Sequence, residues 1–466
     1  MANDQLTNSQ MRDIEALLHP YTNAPAHRTV GAHLIESGEG VYVYDEAGKR
    51  YIEGMAGLWC AGLGFGDQEL IEAAQEQLAK LPYYHLFGGR THEPAIELAE
   101  KIKDLYPVPM SRVFYCSSGS EANDTQVKLV WYMMNALGNP EKKKIISRKK
   151  GYHGVTLVSA SMTGLPTNHA SFNLPFDFVK HTTTPHYWRE GRDGETEAEF
   201  SKRLAADLEE LILAEGPETV AAFIAEPVMG AGGVIAPPQG YFQAVGDVLE
   251  KYDIMFIDDE VICGFGRTGN WFGATTHGMD KGGRAPTSVS MAKQLTGAYA
   301  PLSAVAMNAE MAEAIEAESG RHPVLGHGYT YGGHPLGCAV GVKTLELYQK
   351  RDIVGKVRAV APAFEAHLKR LGEHPLVGEA RCSGLMGGLE LSPDPKSAAM
   401  FAQPGKVGAY LSKELIEHGV ILRAIGDTLA FCPPMVITAD EVDAMFAPIE
   451  TALDNTMHWA RAEGHL

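Results

Sequence analysis

The feature that most constrains this chain is a succession of short, unbroken apolar runs separated by helical repeats. Residues 112–116, 144–147, 220–225, 254–257, 288–291 and 304–307 show no alternation of apolar with polar side chains. A strand with one wet face alternates, whereas a strand covered on both faces does not, so these runs predict a mostly parallel sheet between helical layers. Helical spacing is legible between them: Ala95, Leu98, Ala99, Ile102 and Leu105 behind Pro94; Leu204, Leu208, Leu211 and Ile212; Phe242, Val245, Val248, Leu249 and Tyr252. From about 61 to 334 the chain therefore reads strand, helix, strand, helix, an α/β pattern whose turns draw on 50 glycines. Beyond 335 long helical stretches precede short strands at 384–391, 420–423 and 429–432, and a last helix opens at Thr438, where Glu441 completes a capping box. That texture predicts a second, smaller α+β domain.

Charge and cysteine usage narrow the partners. A net charge of −18 over 466 residues opposes a chain that grips nucleic acid or an anionic membrane and favours a small soluble ligand. No run approaches the roughly 18 apolar residues of a spanning helix, and the polar start MANDQLTNSQ lacks a signal peptide's regions, so a cytoplasmic protein is expected. Cysteines 60, 116, 263, 338, 382 and 432 form no CxxC pair, which reads as reduced core thiols; no metal is expected.

Two short motifs tempt and carry little. Gly264-Phe-Gly266-Arg-Thr-Gly269 is a literal GxGxxG behind a strand, but Gly273 and Gly278 break the helix that a nicotinamide-dependent oxidoreductase would need there. Ser290-Met-Ala-Lys293 is a literal SxxK without a downstream KTG. More informative is the strand 112–116 running into Ser117-Ser118-Gly119-Ser120 and then a helix, since free N–H groups at such a start make an anion socket; an ordinary serine cap is the alternative. Asp258, Asp259 and Glu260 come directly after the four-residue apolar strand 254–257, and successive side chains there point to opposite faces, so one acid can face a site while its neighbours face solvent or backbone. Lys293 follows the next strand. Both strand ends fall where α/β ligand sites form, and a lysine paired with an acid can make a Schiff base while the acid holds a heterocyclic nitrogen protonated.

Taken in order, Ser117-Ser-Gly-Ser-Glu-Ala-Asn123, Gly151-Tyr-His-Gly154, Glu226-Pro227, Asp259-Glu-Val261 with the GFGRTG string, Ala292-Lys293 and Thr330-Tyr-Gly-Gly-His-Pro335 resemble the class III aminotransferases over nearly the whole chain. The resemblance implies the fold type I architecture of enzymes dependent on pyridoxal 5'-phosphate (PLP): a seven-stranded, mostly parallel sheet in a large domain over 61–334, and a small domain built from 1–60 and 335–466. It implies a homodimer or dimer of dimers with the site at the interface. Lys293 is then the lysine that holds PLP and shuttles the proton, and Asp259 the acid under its ring nitrogen. Ser118, Gly119 and Ser120 belong to the phosphate cup, and Thr330 reaches it from a second subunit. Tyr152 stacks on the ring, Glu226 braces it, and His153 and Val261 complete the cofactor set.

Pocket positions indicate the subgroup by the same resemblance. Members acting on ornithine-like or GABA-like substrates usually carry an arginine before the C-terminal Pro-Pro and an acid after Glu-Pro; here Ala430 and Ala231 stand in those places. Arg423, in Val420-Ile-Leu-Arg-Ala-Ile-Gly-Asp427, instead resembles the ω-amine:pyruvate group, in which it binds the keto acid's carboxylate and swings aside for an uncharged amine. Tyr21, Trp59, Phe87 and Tyr152 would form an aromatic amine pocket. The implied reaction moves an amino group from a primary amine or ω-amino acid to pyruvate; diamine, taurine, β-alanine and GABA-like donors remain alternatives.

Overall fold

The computed structural model describes residues 6–281 and 283–466, so the first five residues of the polar start lie outside it. Fifteen strands among these residues form three sheets. Near the N-terminus lie β1 (Ile35–Glu39), β2 (Tyr42–Asp45) and β3 (Arg50–Glu53). The middle of the chain supplies β4 (Arg112–Cys116), β5 (Lys144–Arg148), β6 (Val179–Thr182), β7 (Val220–Ala225), β8 (Met255–Asp259), β9 (Ser288–Met291) and β10 (Ser303–Met307). The remainder are β11 (Val377–Ser383), β12 (Met386–Leu391), β13 (Val420–Ile421), β14 (Arg423–Ile425) and β15 (Thr428–Phe431).

The central sheet has seven strands in the order β4-β10-β9-β8-β7-β5-β6. Neighbours from β9 to β6 run parallel, while β10 is antiparallel to both β9 and β4. Its two covered faces explain the unbroken apolar runs: all six residues of β7 are fully buried. Phe223 and Ala225 join the cluster containing Tyr241, Phe242 and Phe256, whereas Ala222 and Ile224 join the opposite one with Val130 and Met133. Six of the seven strands are those expected from sequence. The seventh, β6, is Val-Lys-His-Thr at a sheet edge, where only one ladder is made and the two middle side chains stay partly exposed.

Two strand ends differ from expectation in ways that matter for the site. The run at 254–257 predicts a strand ending before the acids, but β8 includes Asp258 and Asp259, because backbone pairing to Val289 and Ser290 continues regardless of side-chain polarity. The stretch 420–423 predicts one strand and contains the ends of two: β13 pairs parallel with β3, the chain changes sheet at Leu422, and Arg423 opens β14. The stretch expected as a strand from 384 starts at Met386, since Gly384, with φ +59°, makes the turn out of β11.

Other expectations hold. The helix Glu93–Leu105 carries Pro94 in its first turn, and Thr438 caps Ala439–Phe446 in a capping box with Glu441. The GFGRTG string opens no helix; it is a series of turns, with Gly266 at φ +107° and Gly269 at φ +86°. Between them Arg267 is fully buried and donates to the carbonyls of Leu385 and Pro433, tying the central sheet's flank to the C-terminal region. All six cysteines are free thiols, and among the described residues no helix is long and apolar enough to cross a membrane.

Candidate active site

A cavity of about 710 Å³ opens at the carboxyl ends of β8 and β9. Asp259, the last residue of β8, is buried and points into it. Three donors converge on its carboxylate. His153 Nδ1 lies 2.8 Å and Asn123 Nδ2 2.7 Å from Oδ2, while the Val261 amide donates to Oδ1 at 3.2 Å. Asn123 also donates to the His153 carbonyl at 2.8 Å, so the histidine is held through both backbone and ring.

The neighbouring acids do not face solvent, as the sequence allowed. Asp258 and Glu260 are both fully buried on the other side of the strand. Asp258 accepts from the Tyr106 hydroxyl at 2.8 Å, and Glu260 accepts from the Gly273 and Ala274 amides. Burial pushes both carboxyls up, Glu260 to about 7, and of the three consecutive acids Asp259 is the one that lines the cavity.

Lys293 stands two residues past β9 at φ +50°, a left-handed backbone that costs a non-glycine residue on the order of 1–3 kcal/mol. A turn from Lys293 to Leu295 and the fully buried Gln294 hold it there; Gln294 Nε2 donates to the Trp59 carbonyl and its own carbonyl accepts from the Tyr348 hydroxyl. Burial pulls the Lys293 amine below the usual lysine range, with the nearby Cys60, Asp259 and Glu226 opposing that shift. Glu226, itself buried, accepts from the Tyr152 and Gly230 amides at 3.0 Å each and so fixes the Tyr152 loop beside the cavity. Burial pushes the Glu226 carboxyl up.

The anion socket is also present. Ser118 caps the helix Gly119–Ala136, accepting from the Glu121 amide, so the cap and the socket are one structure rather than alternatives. The Gly119 and Ser120 amides stand at the first two helical positions, where no intrahelical acceptor exists. A Cβ at Gly119 would come within 3.0 Å of Val261, so the helix start and Val261 close on each other only because position 119 has no side chain. Ser120 Oγ accepts from the Val155 amide at 3.1 Å.

The substrate side gathers most of the expected residues. Tyr21, Trp59, Tyr152, Ala231 and Arg423 line the same cavity as Lys293 and Asp259. Trp59 is almost wholly buried at φ +66°, and the Tyr21 hydroxyl accepts from Asn168 Nδ2 at 2.6 Å. Among the described residues no carboxylate lies within ion-pair distance of the Arg423 guanidinium, which leaves it free for a ligand. Phe87 and Thr330 are elsewhere. Phe87 is half exposed in a second cavity beside Gly328 and Tyr329, and Thr330 is exposed, its carbonyl accepting from the Tyr83 hydroxyl. The single chain thus departs from the four-aromatic pocket, because the turn at Phe87–Gly89 packs its ring against the 328 loop. Asn123 carries a weak signal in the sequence: it ends the Ser117–Asn123 string, one helical turn past Gly119 and on the same face.

These features fit PLP: an amine that shares one cavity with a carboxylate oriented by three donors, Tyr152 and Val261 on the wall of that cavity, and free amides at the start of an 18-residue helix for a phosphate. The family model described as aminotransferase class-III matches residues 23–453. The omega transaminase from Pseudomonas jessenii, solved in complex with PMP, is 49% identical and superposes with a TM-score of 0.95 over 97% of this chain and 99% of that one. Among curated relatives, a chloroplastic gamma aminobutyrate transaminase of Solanum lycopersicum is 46% identical over 94% of this chain and 84% of its own length. A mitochondrial one of Oryza sativa subsp. japonica is 47% identical over the same shares.

Proposed function

The chain belongs to the class III aminotransferases, and from that premise we propose that it moves an amino group from a primary amine or ω-amino acid to pyruvate, using bound PLP. The observation that carries this reading is the Lys293 amine and the donor-ringed Asp259 carboxylate sharing one cavity with an unpaired Arg423. When bound, the cofactor supplies an electron sink for the pair left on the substrate carbon as its proton departs.

The remaining steps belong to the protein. Lys293 anchors the cofactor and, once the substrate amine displaces it, takes the proton from the substrate carbon; burial favours its neutral, basic form. Asp259 holds a proton on the ring nitrogen, with His153 and Asn123 fixing the carboxylate's aim. The Gly119 and Ser120 amides hold the phosphate, Ser118 sets the helix start, and Thr330 of a second copy completes the cup. Tyr152 and Val261 bracket the ring, and Glu226 fixes the Tyr152 loop. Arg423 receives the keto acid's carboxylate in bidentate fashion, while Tyr21, Trp59 and Phe87 of a second copy shape the space for the amine substituent. The exposed positions of Phe87 and Thr330 support a homodimer or a dimer of dimers, and the acidic chain with six free thiols suits the cytoplasm.

A GABA-like donor is the second reading, favoured by relatives named gamma-aminobutyrate transaminases. One arginine serves both, since a carboxylate is presented by GABA in one half-reaction and by pyruvate in the other. The test is a donor panel of 1-phenylethylamine, β-alanine, taurine, a diamine and GABA against pyruvate, following alanine formation. Alanine from neutral amines supports the first reading; alanine from GABA alone supports the second. Borohydride trapping that labels a lysine other than Lys293 would refute the assignment of Lys293.

A further inference from the structure

The N-terminal arm lacks a core. The helices Asn8–Ala16 and Ala24–Val30 bury no side chain, yet the turn between them places Pro20 and Tyr21 on the wall of the active-site cavity. Tyr21 holds a left-handed φ of +50° there. Without apolar burial something else must hold the arm in register.

What joins the two helices is a polar knot. His27 Nε2 lies 2.9 Å from Asp13 Oδ2, and His19 Nε2 lies 2.9 Å from both Asp13 oxygens. The imidazoles are 4.4 Å apart at their centroids. Both rings turn the same nitrogen inward, and all three ligand atoms lie within 4.8 Å of one another. Ligand atoms around a tetrahedral Zn²⁺ stand about 3.3–3.5 Å apart, as follows from bond lengths near 2.0–2.2 Å, so small outward movements admit an ion. The side chains are 12–30% exposed, which gives the ion a path and leaves a position for water.

We propose that Asp13, His19 and His27 form a binding site for a zinc-class divalent cation, with water as the remaining ligand. The ion fastens the two helices and thereby fixes Tyr21 at the amine side of the cavity. Two imidazoles and one carboxylate suit Zn²⁺, Co²⁺ or Ni²⁺ rather than Ca²⁺ or Mg²⁺, which prefer oxygen shells. All three ligands fall within fifteen residues, so closing the chelate costs little chain entropy. The sequence carries no local signal for such a site, because His19 lies in the turn between the two helices, where Pro20 interrupts any helical repeat that would relate it to His27.

The test uses the full-length holoenzyme after dialysis against chelator, titrated with Co²⁺ and followed by its visible ligand-field absorption, to the red of bound PLP. The expected result is one Co²⁺ per chain, displaced by Zn²⁺. Asp13→Asn, His19→Gln and His27→Gln should each weaken binding at least about tenfold, whereas the exposed His458→Gln should not. Zn²⁺ should also change KM for the amine donor in the parent enzyme and not in His27→Gln. Circular dichroism of each variant separates lost ligands from lost fold. Absent Co²⁺ binding in the parent, or binding unchanged in all three folded variants, would overturn the proposal and leave Asp13 as a hydrogen-bond acceptor for the two imidazoles. Because binding is read without turnover, either result leaves the aminotransferase reading standing.

Discussion

Arg423 and Ala430 are directly opposite partners in the antiparallel pair β14–β15. The residue that resembles a keto-acid ligand and the alanine that replaces a second arginine are therefore cross-strand neighbours. One guanidinium lines the cavity beside them, and among the described residues no carboxylate lies within ion-pair distance of it. Arg423→Ala should thus act unequally on the two half-reactions. Pyruvate loses a charge-assisted, water-shielded partner, and its turnover should fall by about 10²-fold or more, corresponding to about 3 kcal/mol. A neutral amine such as 1-phenylethylamine should be nearly unaffected or improved. Single-turnover absorbance of each half-reaction reads this directly, and equal losses would make Arg423 a structural residue.

Asp259 offers a graded test. Asp259→Asn retains size but presents an amide where a carboxylate must hold a proton on the ring nitrogen, so turnover should fall by about 10²–10³-fold with the fold intact. His153→Gln removes one of the bonds that aim the carboxylate, a loss of about 1.5–3 kcal/mol if nothing replaces it. Its visible cofactor band should shift along with its pH profile. A change in kcat with no spectral change would place His153 in the scaffold alone.

How far the sequence carried depends on whether a feature has a local signal. Unbroken runs marked β4, β5 and β7 through β10, since burial on both faces writes itself into consecutive residues. It does not write strand direction, so antiparallel β10 was invisible, and edge burial is too weak to mark Val179–Thr182. That Lys293 and Asp259 share one cavity was legible because strand ends in α/β sheets are where sites form. The His153–Asp259 bond spans 106 residues and the Asn123–Asp259 bond 136, and no short pattern encodes either. Thr330 and Phe87 are outside the cavity of one chain, so their roles rest on family likeness and on a second copy.

That second copy can be tested. Ser120→Ala and Thr330→Ala should each weaken PLP retention through loss of a hydroxyl near a charged phosphate, worth on the order of 1.5–3 kcal/mol. If Thr330 serves the other protomer, mixing the Thr330→Ala and Lys293→Ala chains should form dimers in which one site has both Lys293 and Thr330 intact. Activity should then reappear at a fraction set by random reassortment. Mixtures no more active than their parents, with exchange confirmed by mass, would mean that each site is built within one chain.

Two half-buried histidines predict how the fold responds to acid. Burial pulls the imidazoles of His181, on edge strand β6, and His277, whose Nε2 sits 3.0 Å from Ser383 Oγ, down to about 4. In the unfolded chain each regains a value near 6.5. Between pH 6.5 and 4 the unfolded state therefore binds more protons than the native one, and stability must fall as pH falls through that window. Above 6.5 both states carry neutral rings and the effect vanishes. One such proton contributes a slope of up to about 1.4 kcal/mol per pH unit. His277→Gln keeps a polar partner for Ser383 without a titrating group, so its urea midpoint should decline less steeply than that of the parent from pH 6.5 to 4 and run parallel to it above pH 7. A variant whose midpoint tracks the parent throughout the acid range would show that His277 becomes protonated in the native state at its ordinary value, and that its burial is relieved by water entering beside Ser383.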